Sequence, residues 1–524
     1  MAMAAPITTR ISVHPRWSAL ALGLLSATGF EPLHLWPVAL AAMGGFFLLM
    51  AGRGWKEALL LGWLFGLAHF TFANNWIATA FTYQANMPAV LGWAAVPLLS
   101  LYLAVYPALA AGGARLLTGR GDGWPLALAF AGSWMVTEWL RSWVFTGYAW
   151  DPLGVILLGG FSRPGLAALA PWLGTYALSG LAILLACAAA QLLRERHMVP
   201  LGLVVGLVVA GMLAPAGKAR EGSMRYTLVQ PDIGQDKLND PFFYLENFRK
   251  SAALTYPLAQ GERRIVLWPE SGIREYLESG YPQRIYDRAN VLADPALTRA
   301  SLARMIGPGS VILTGTNDLE FDEAGQLYGA RNSVKAVDDA GRIVGSYAKA
   351  HLVPYGEYLP LRWLLEPLGA SRLVPGTLDF LPGPGPETLD LGQWGSVGVQ
   401  VCYEIVFSGQ VVDSANRPDF IYNPSNDGWF GSFGPPQHLA QARLRAIEEG
   451  LPVLRSTTTG ISAVIDARGV VRAHIPMRVS ARLDGTIPPA LPPTPFARLG
   501  NWLPLGWALL LLAIAAIASR GRAR

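Results

Sequence analysis

The sequence predicts a polytopic α-helical membrane domain of about eight spans joined to a layered α/β domain that works in water. Three observations predict it. Of 524 residues, 52% are hydrophobic and only 15% are charged, whereas soluble globular chains carry about a quarter charged residues. The deficit is uneven: residues 1–217 are almost free of Lys, Asp and Glu, while residues 218–485 have an ordinary soluble composition. The apolar runs are long in the first part, but short and interleaved with helical stretches in the second. Two regimes in one chain imply two solvents.

Crossing a bilayer takes about 20 mostly apolar residues. Candidate spans lie at residues 17–35, 36–52, 57–80, 88–114, 124–141, 165–193, 198–215 and 501–519. The first two are short and meet at Glu31-Pro32. Positive charge orients the set. With the amino terminus cytoplasmic, Arg10, Arg16, Arg53, Lys56, Arg115, Arg120, Arg194, Arg196, Arg520, Arg522 and Arg524 all fall inside, and the short outer loops hold only Arg141 and Arg163. Both termini are then inside and the large domain is outside. Lys218 and Arg220 oppose this, but they open a long domain, where the charge rule is weak. The net charge of +5 therefore reflects topology and not a nucleic-acid face. No cleavable signal peptide is expected, because the first apolar run leads into further spans. Glu138 and Arg141, one turn apart, are read as a paired charge at a span end. His69, near Asn74 and Asn75, is read as part of a satisfied polar cluster.

In the α/β part, strands are expected at Tyr226–Gln230, Arg264–Trp268, Val311–Thr316, Asn332–Val337, Ile343–Tyr347, Ser396–Cys402, Phe420–Asn423, Val453–Thr457 and Ile461–Asp466. A helix is expected over Gln437–Glu449 with Gly450 as its stop. Strands interleaved with helices indicate layered α/β architecture. The domain organisation read from this is residues 1–217, transmembrane; 218–485, the α/β domain; and 486–524, a linker and final span.

The two cysteines differ in setting. Cys187 lies in an apolar run and Cys402 in a polar one, so no disulfide is expected and Cys402 is a free thiol. Four motifs place reactive side chains just after a strand, where loops present functional groups. In Trp268-Pro269-Glu270, proline ends the strand and delivers a carboxylate suited to a general base. In Tyr347-Ala-Lys349-Ala-His351-Leu-Val-Pro354-Tyr-Gly356-Glu357, Lys349 is a fixed cation and Glu357 a second carboxylate. In Val401-Cys402-Tyr403-Glu404, a thiol ends an apolar strand with an acid two residues on. Asn423-Pro-Ser-Asn426-Asp427-Gly428-Trp429-Phe-Gly431 is placed to wall a pocket, with Trp429 as its largest side chain. Singly, each motif has a structural reading: a solvated acid, a surface lysine, a small core hydrophobe, a turn. Their order within one α/β domain distinguishes them.

Glu270, Lys349 and Cys402 resemble the Glu-Lys-Cys triad of the nitrilase (carbon-nitrogen hydrolase) superfamily, which implies an αββα sandwich. The whole chain resembles the bacterial apolipoprotein N-acyltransferase family. Besides the motifs above, the resemblance is carried by Gln437-His438, Arg443-Leu-Arg445-Ala446, Arg455-Ser-Thr, Gly460-Ile and, in the membrane part, Arg141-Ser-Trp and Thr146-Gly-Tyr-Ala-Trp150. One departure is Gln230-Pro-Asp-Ile-Gly-Gln-Asp-Lys-Leu-Asn239, which lacks the tryptophan many members carry in this segment.

The resemblance implies acyl transfer in two steps. Cys402 takes an acyl chain from a phospholipid, phosphatidylethanolamine being the expected donor, and passes it as a thioester to the α-amine of a diacylated apolipoprotein. Glu270 is the implied base, and Lys349 with a backbone N–H near Cys402 the implied oxyanion donors. Glu357, Tyr403 and Glu404 are implied supports. The family further implies a monomer in the bacterial inner membrane, acting on the periplasmic side. The stretch Leu352–Leu373 is rich in apolar residues, including Trp363 and Leu364, and is expected to be a lid that dips into the membrane interface. No metal-ligand spacing or phosphate loop is present, so neither cofactor nor metal is expected. Two rivals are a membrane-anchored amidase using the same triad and a transporter with an inert outer domain. The amidase would need neither the spans nor the lid. The transporter would need charged midplane residues that the spans lack.

Overall fold

The computed structural model describes residues 14–83, 90–259, 261–365, 367 and 379–522. The chain divides into two compact units. One comprises Met1–Ala78, Ala89–Ala216 and Pro493–Arg524; the other comprises Thr79–Pro88 and Gly217–Pro492.

The first unit is helical. Its main helices are Pro15–Ala27, Trp36–Met50, Trp55–Ala73, Val90–Leu103, Val105–Thr118, Trp124–Arg141, Ala170–Arg194, Met198–Leu213 and Trp502–Arg522. Small residues let their backbones approach closely. A Cβ on Gly62 would lie 2.6 Å from the Pro107 carbonyl oxygen, and one on Gly66 would lie 2.9 Å from the Ala104 Cα. Each expected span contains a helix, but the count of eight spans is not reached by length and composition. Three helices, Val90–Thr118, Gly165–Arg194 and Trp502–Arg520, are long and apolar enough to cross a membrane. Pro15–Ala27, Trp36–Met50 and Met198–Leu213 have 13, 15 and 16 residues. At about 1.5 Å per residue they fall short of a ~30 Å hydrocarbon core. Trp55–Ala73 carries Lys56, Glu57 and His69, and Trp124–Arg141 carries Glu138 and Arg141, which dilutes their hydropathy.

The Glu138–Arg141 pairing is also corrected. Glu138 Oε1 accepts from the Trp134 indole at 3.1 Å and the Leu153 N–H at 2.8 Å. Arg141 donates to the Trp150 carbonyl at 2.8 Å and lies over the Phe70 ring. The loop after the helix supplies Trp150 and Leu153, and Trp134 comes from one turn back on the same helix. His69 Nδ1 meets the Ser26 hydroxyl at 2.7 Å, and Asn74 Oδ1 accepts from the Tyr148 hydroxyl at 2.6 Å.

The second unit is built on two six-stranded sheets. The strands are β1 Arg225–Gln230, β2 Ile265–Leu267, β3 Val311–Phe321, β4 Leu327–Asp338, β5 Ile343–Ala348, β6 Thr388–Asp390, β7 Ser396–Val399, β8 Phe420–Ser425, β9 Val453–Thr457, β10 Ser462–Ile465, β11 Val471–Ile475 and β12 Ala481–Thr486. One sheet has the order β12-β1-β2-β3-β4-β5 and the other β11-β10-β9-β8-β7-β6. In each, three central strands run parallel (β1-β2-β3 and β7-β8-β9) and the outer pairs are antiparallel. Parallel strands buried on both faces read as continuous apolar runs, and β8 is buried throughout. The sheets face each other: Ser456 donates to the Val229 carbonyl at 2.7 Å and Tyr422 to that of Leu313 at 3.3 Å. Helices Tyr244–Ala253 and Pro295–Ile306 cover the first sheet, where Ala252, Leu302 and Ile306 pack on Val229, Val266 and Ile312. Full burial of Leu302 and Ile306 stabilises the fold by about 1.5–3 kcal/mol each. Helix Gly434–Glu449 packs on β9 and β10 of the second sheet. It stops at Gly450, left-handed at φ +66°, the conformation glycine adopts without strain.

Candidate active site

The site is assembled where three strands end. β2 stops at Leu267, and Pro269 has no N–H to continue the ladder. The chain turns through Ser271 at φ +54° and lies against Gly315, where a Cβ would come 2.8 Å from the Glu270 Cα. Glu270 is thereby held almost fully buried. Lys349 follows β5 directly, and its N–H donates to the Asn332 carbonyl of β4 at 2.9 Å. Cys402 follows β7 and opens a short 3-10 helix, Cys402–Val406, with φ +51°. A non-glycine residue in that region is strained, and such strain clusters at functional sites.

These ends converge. The Lys349 ammonium is 2.9 Å from Glu357 Oε1 and 3.7 Å from Glu270 Oε1. The Asn332 side-chain amide donates to both carboxylates, at 2.7 Å to Glu270 Oε1 and 3.0 Å to Glu357 Oε1. Glu357 Oε2 accepts the Val353 N–H at 2.8 Å, which fixes its loop. The Asn426 N–H donates to Glu270 Oε2 at 2.8 Å.

The charges of these groups follow from their surroundings. Burial alone would lower the Lys349 ammonium, but Glu357 and Glu270 outweigh it and hold the ammonium above its ordinary value. Burial, the Glu270 charge and Asp427 push the Cys402 thiol well up, against the pull of Lys349 and the Asn426 N–H. The resting sulfur is a protonated thiol, so attack requires a base.

Glu404 ties two of the strand ends together. Its Oε1 accepts from the Tyr347 hydroxyl at 2.8 Å and from the N–H groups of Ala350 and His351 at 2.8 and 3.1 Å. Its Oε2 accepts from the Val401 N–H at 2.7 Å. The carboxyl therefore clamps the Lys349 segment to the Cys402 turn. Burial pushes Glu404 up to about 7, only partly offset by the Tyr347 hydroxyl, the Lys349 charge and the backbone donors. A carboxyl raised on folding favours the protonated folded state. Its contribution is full below the ordinary 4.5 and is lost as pH rises through about 7. Glu404→Gln is expected to cost about 1–3 kcal/mol, because an amide nitrogen then faces the Val401 N–H. The difference in thermal stability between the two proteins should shrink as pH rises across that window. A difference independent of pH would refute this account.

Beside the site lies a buried charged cluster. Arg455 Nη2 is 2.7 Å from each Asp427 oxygen. His438 Nε2 donates to the Cys402 carbonyl at 3.0 Å. Its Nδ1 lies 2.9 Å from Arg455 Nη2 and 3.0 Å from Asp427 Oδ1. Burial and the Arg455 charge lower His438 against the opposing effect of Asp427. The imidazole is accordingly neutral, donating at Nε2 and accepting from Arg455 at Nδ1. Burial opposes the charge on Asp427, yet the Arg455 guanidinium holds its carboxyl low.

Glu270, Lys349, Cys402, Glu357 and Glu404 are brought together. Tyr403 is buried with its ring edge-on to Phe407 at 5.0 Å. Trp429 sits on the turn Asp427–Trp429 with its ring edge-on to Tyr83 at 5.8 Å. Trp363 and Leu364 lie on the short helix Arg362–Leu365, 76% and 43% exposed. Among the described residues, none of these last three side chains hydrogen-bonds to the converging five. Within the expected lid, residues 366 and 368–373 lie outside the described residues. Sequence reasoning missed Asn332, which sits inside β4 with no motif around it. It also read Asn426-Asp427 as turn chemistry, although the nearby His438 and Arg455 were a signal that Asp427 is a buried ion-pair partner.

Comparison with known proteins places the sequence in a family. Residues 22–188 match the model of the apolipoprotein N-acyltransferase N-terminal domain, and residues 233–481 match the carbon-nitrogen hydrolase model. Apolipoprotein N-acyltransferase of Rhodopseudomonas palustris is 34% identical over 92% of this chain and 91% of its own. The chain belongs to the apolipoprotein N-acyltransferase family. The corresponding enzyme of Bradyrhizobium diazoefficiens is 33% identical, covering 96% of this chain and 94% of its own. Among solved structures, Saccharomyces cerevisiae Nit3 aligns at 17% identity and TM-score 0.34, covering 52% of this chain and 93% of its own. An amidase from Nesterenkonia sp. AN1 aligns at 18% identity and TM-score 0.32, covering 52% and 94%. The chain is thus a bacterial membrane enzyme of lipoprotein N-acylation, with a carbon-nitrogen hydrolase domain.

Proposed function

We propose that acylation runs through a Cys402 thioester. The observation carrying this reading is the buried Lys349 ammonium 3.7 Å from the Glu270 carboxylate, with both charges acting on the Cys402 thiol. Glu270 takes the thiol proton as sulfur attacks the ester carbonyl of a phospholipid. Lys349 and a backbone N–H near Cys402 stabilise the oxyanion. Collapse expels the lysophospholipid, which recovers the proton from Glu270, and leaves the thioester. The lipoprotein α-amine then attacks, and its proton passes to Glu270. Collapse forms the amide and returns the thiol. Glu357 holds Lys349 in place and Glu404 positions the turn that carries Cys402. Tyr403 supports that turn and Trp429 walls the approach.

The donor in this reading is phosphatidylethanolamine and the acceptor a diacylated apolipoprotein. The enzyme is a monomer of the inner membrane with its catalytic side periplasmic. Residues 1–217 form the membrane domain, 218–485 the catalytic domain, and 486–524 the linker and last span. The five shorter or less apolar helical segments complete the eight spans by tilt and local bilayer thinning. Intact-mass analysis of enzyme incubated with phospholipid should show one acyl adduct, discharged when an amine-bearing lipopeptide is added. A thiol that stays unmodified would end the thioester reading.

The stretch Leu352–Leu373 acts as a lid at the lipid interface in this proposal. A large exposed indole at Trp363 is costly in water and suited to an interface. Replacing Trp363 and Leu364 by Asp is expected to abolish turnover on lipid vesicles while thermal stability stays within about 0.5 kcal/mol. Unchanged vesicle turnover would sink the lid.

A further inference from the structure

The α/β unit contains a cleft of about 400 Å³ that the two steps above do not use. Its wall includes Gln235, Asp427 and Gly428. Gln235 Oε1 accepts from the Asn426 side-chain amide at 2.7 Å, and the Asn426 N–H donates to Glu270 at 2.8 Å. One residue therefore separates the cleft from the Glu270 carboxylate.

The cleft is charged on both sides of zero. Lys237, Lys250 and Arg478 line it together with Asp232 and Asp236. Lys250 leans toward Glu246 at 3.5 Å in a largely exposed pair, a contact of little strength. Among the described residues, neither Lys237 nor Arg478 has a carboxylate within 4.0 Å. The Lys237 ammonium lies 5.0 Å over the Phe243 ring. Two cations without counterions beside a cleft make an anion site.

The wall is also held in an unusual shape. Asp232 and Arg478 both have positive φ, +54° and +59°. Thr459 joins them, donating its hydroxyl to Asp232 Oδ1 at 2.7 Å and accepting the Arg478 N–H at 3.0 Å. Strain kept in place by cross-links at a cleft is a mark of a ligand site. The volume falls within the range of small-molecule sites, about 300–1,000 Å³. A wall so charged does not suit an acyl chain, which would force its ions to give up water without partners.

We propose that this cleft receives the phosphodiester headgroup of the acyl donor. Lys237 and Arg478 hold the phosphate, and Asp236 takes the ammonium of a zwitterionic headgroup. The proposal rests on reading Cys402 as the group that phospholipid acylates. It assigns donor selection to a polar cleft distinct from the surface that meets the acyl chain.

The test is single-turnover acylation of Cys402, followed by intact mass. Full-length K237E/R478E is compared with the unaltered enzyme on two donors: phosphatidylethanolamine vesicles, and a p-nitrophenyl ester of the same acyl chain in detergent. The double variant should lower the ratio of phospholipid to ester acylation by about tenfold or more, through a higher KM for phospholipid. Should that variant fail to fold, K237Q/R478Q carries the same expectation at about threefold. Equal loss on both donors, or no loss on either, overturns the proposal. So does normal acylation with slowed discharge by a lipopeptide amine, which would give the cleft to the acceptor. An unaltered enzyme acylated by neither donor instead refutes the Cys402 thioester, an outcome distinguishable from the others.

Discussion

Cys402→Ala is expected to lower lipoprotein N-acylation by about 10⁴-fold or more and to leave the protein folded. The size follows from covalent catalysis: removing the nucleophile of a concerted set costs nearly as much as removing the set. Retention of fold follows from the backbone. Cys402 already sits at φ +51°, and alanine bears much the same strain there as cysteine. The Asn426 N–H beside the site keeps Glu270 Oε2 as its acceptor at 2.8 Å. The readouts are turnover, loss of the acyl adduct by mass, and an unfolding midpoint near that of the parent. Turnover within tenfold of the parent would place the nucleophile elsewhere.

Lys349→Met should combine two large effects. The ammonium is 1% exposed and sits between two carboxylates. Removing it leaves Glu270 and Glu357 joined only by the Asn332 amide. Breaking a buried ion pair at one partner costs about 3–5 kcal/mol, because the remaining charge is uncompensated. Turnover should fall by about 10³-fold, since an oxyanion donor is lost as well. Adding Glu357→Gln removes one of the stranded charges and should recover part of the stability but none of the turnover. Thermal unfolding and acylation of the two variants separate these effects. Recovery of turnover in the double variant would make Lys349 a structural residue only.

The parts of this arrangement differ in how far the chain announces them. All nine expected strands overlap observed ones, because central strands buried on both faces, such as Ile265–Leu267, leave apolar runs. The three strands that were missed lie at sheet edges. β6 has three residues, and β11 and β12 are mostly half-exposed with Arg, Asp and Gly among them, so neither period nor composition marks them. Glu270, Lys349 and Cys402 stand out because each lies just beyond a strand, next to punctuation such as Pro269. Asn332 carries no such mark. It sits within β4, and only the register of β4 against β3 and β5 brings it beside two carboxylates. The membrane spans are legible in part. Apolar character shows where the helices are, but Pro15–Ala27 and Trp36–Met50 are too short to be counted by length alone.

The antiparallel pairing of β1 with β12 governs the order in which this protein can be made. Thr227 and Asp484, joined by a 2.6 Å hydrogen bond, are 257 residues apart. As the ribosome delivers β1, its outer edge has no neighbour until almost all of the α/β unit has emerged. Loop closure over that span is slow, and an open strand edge invites pairing with other chains. Chains stalled before Ala481 would expose β1 and become targets for aggregation or proteolysis, so the vulnerable interval of biogenesis ends only as the final membrane helix begins to be synthesised.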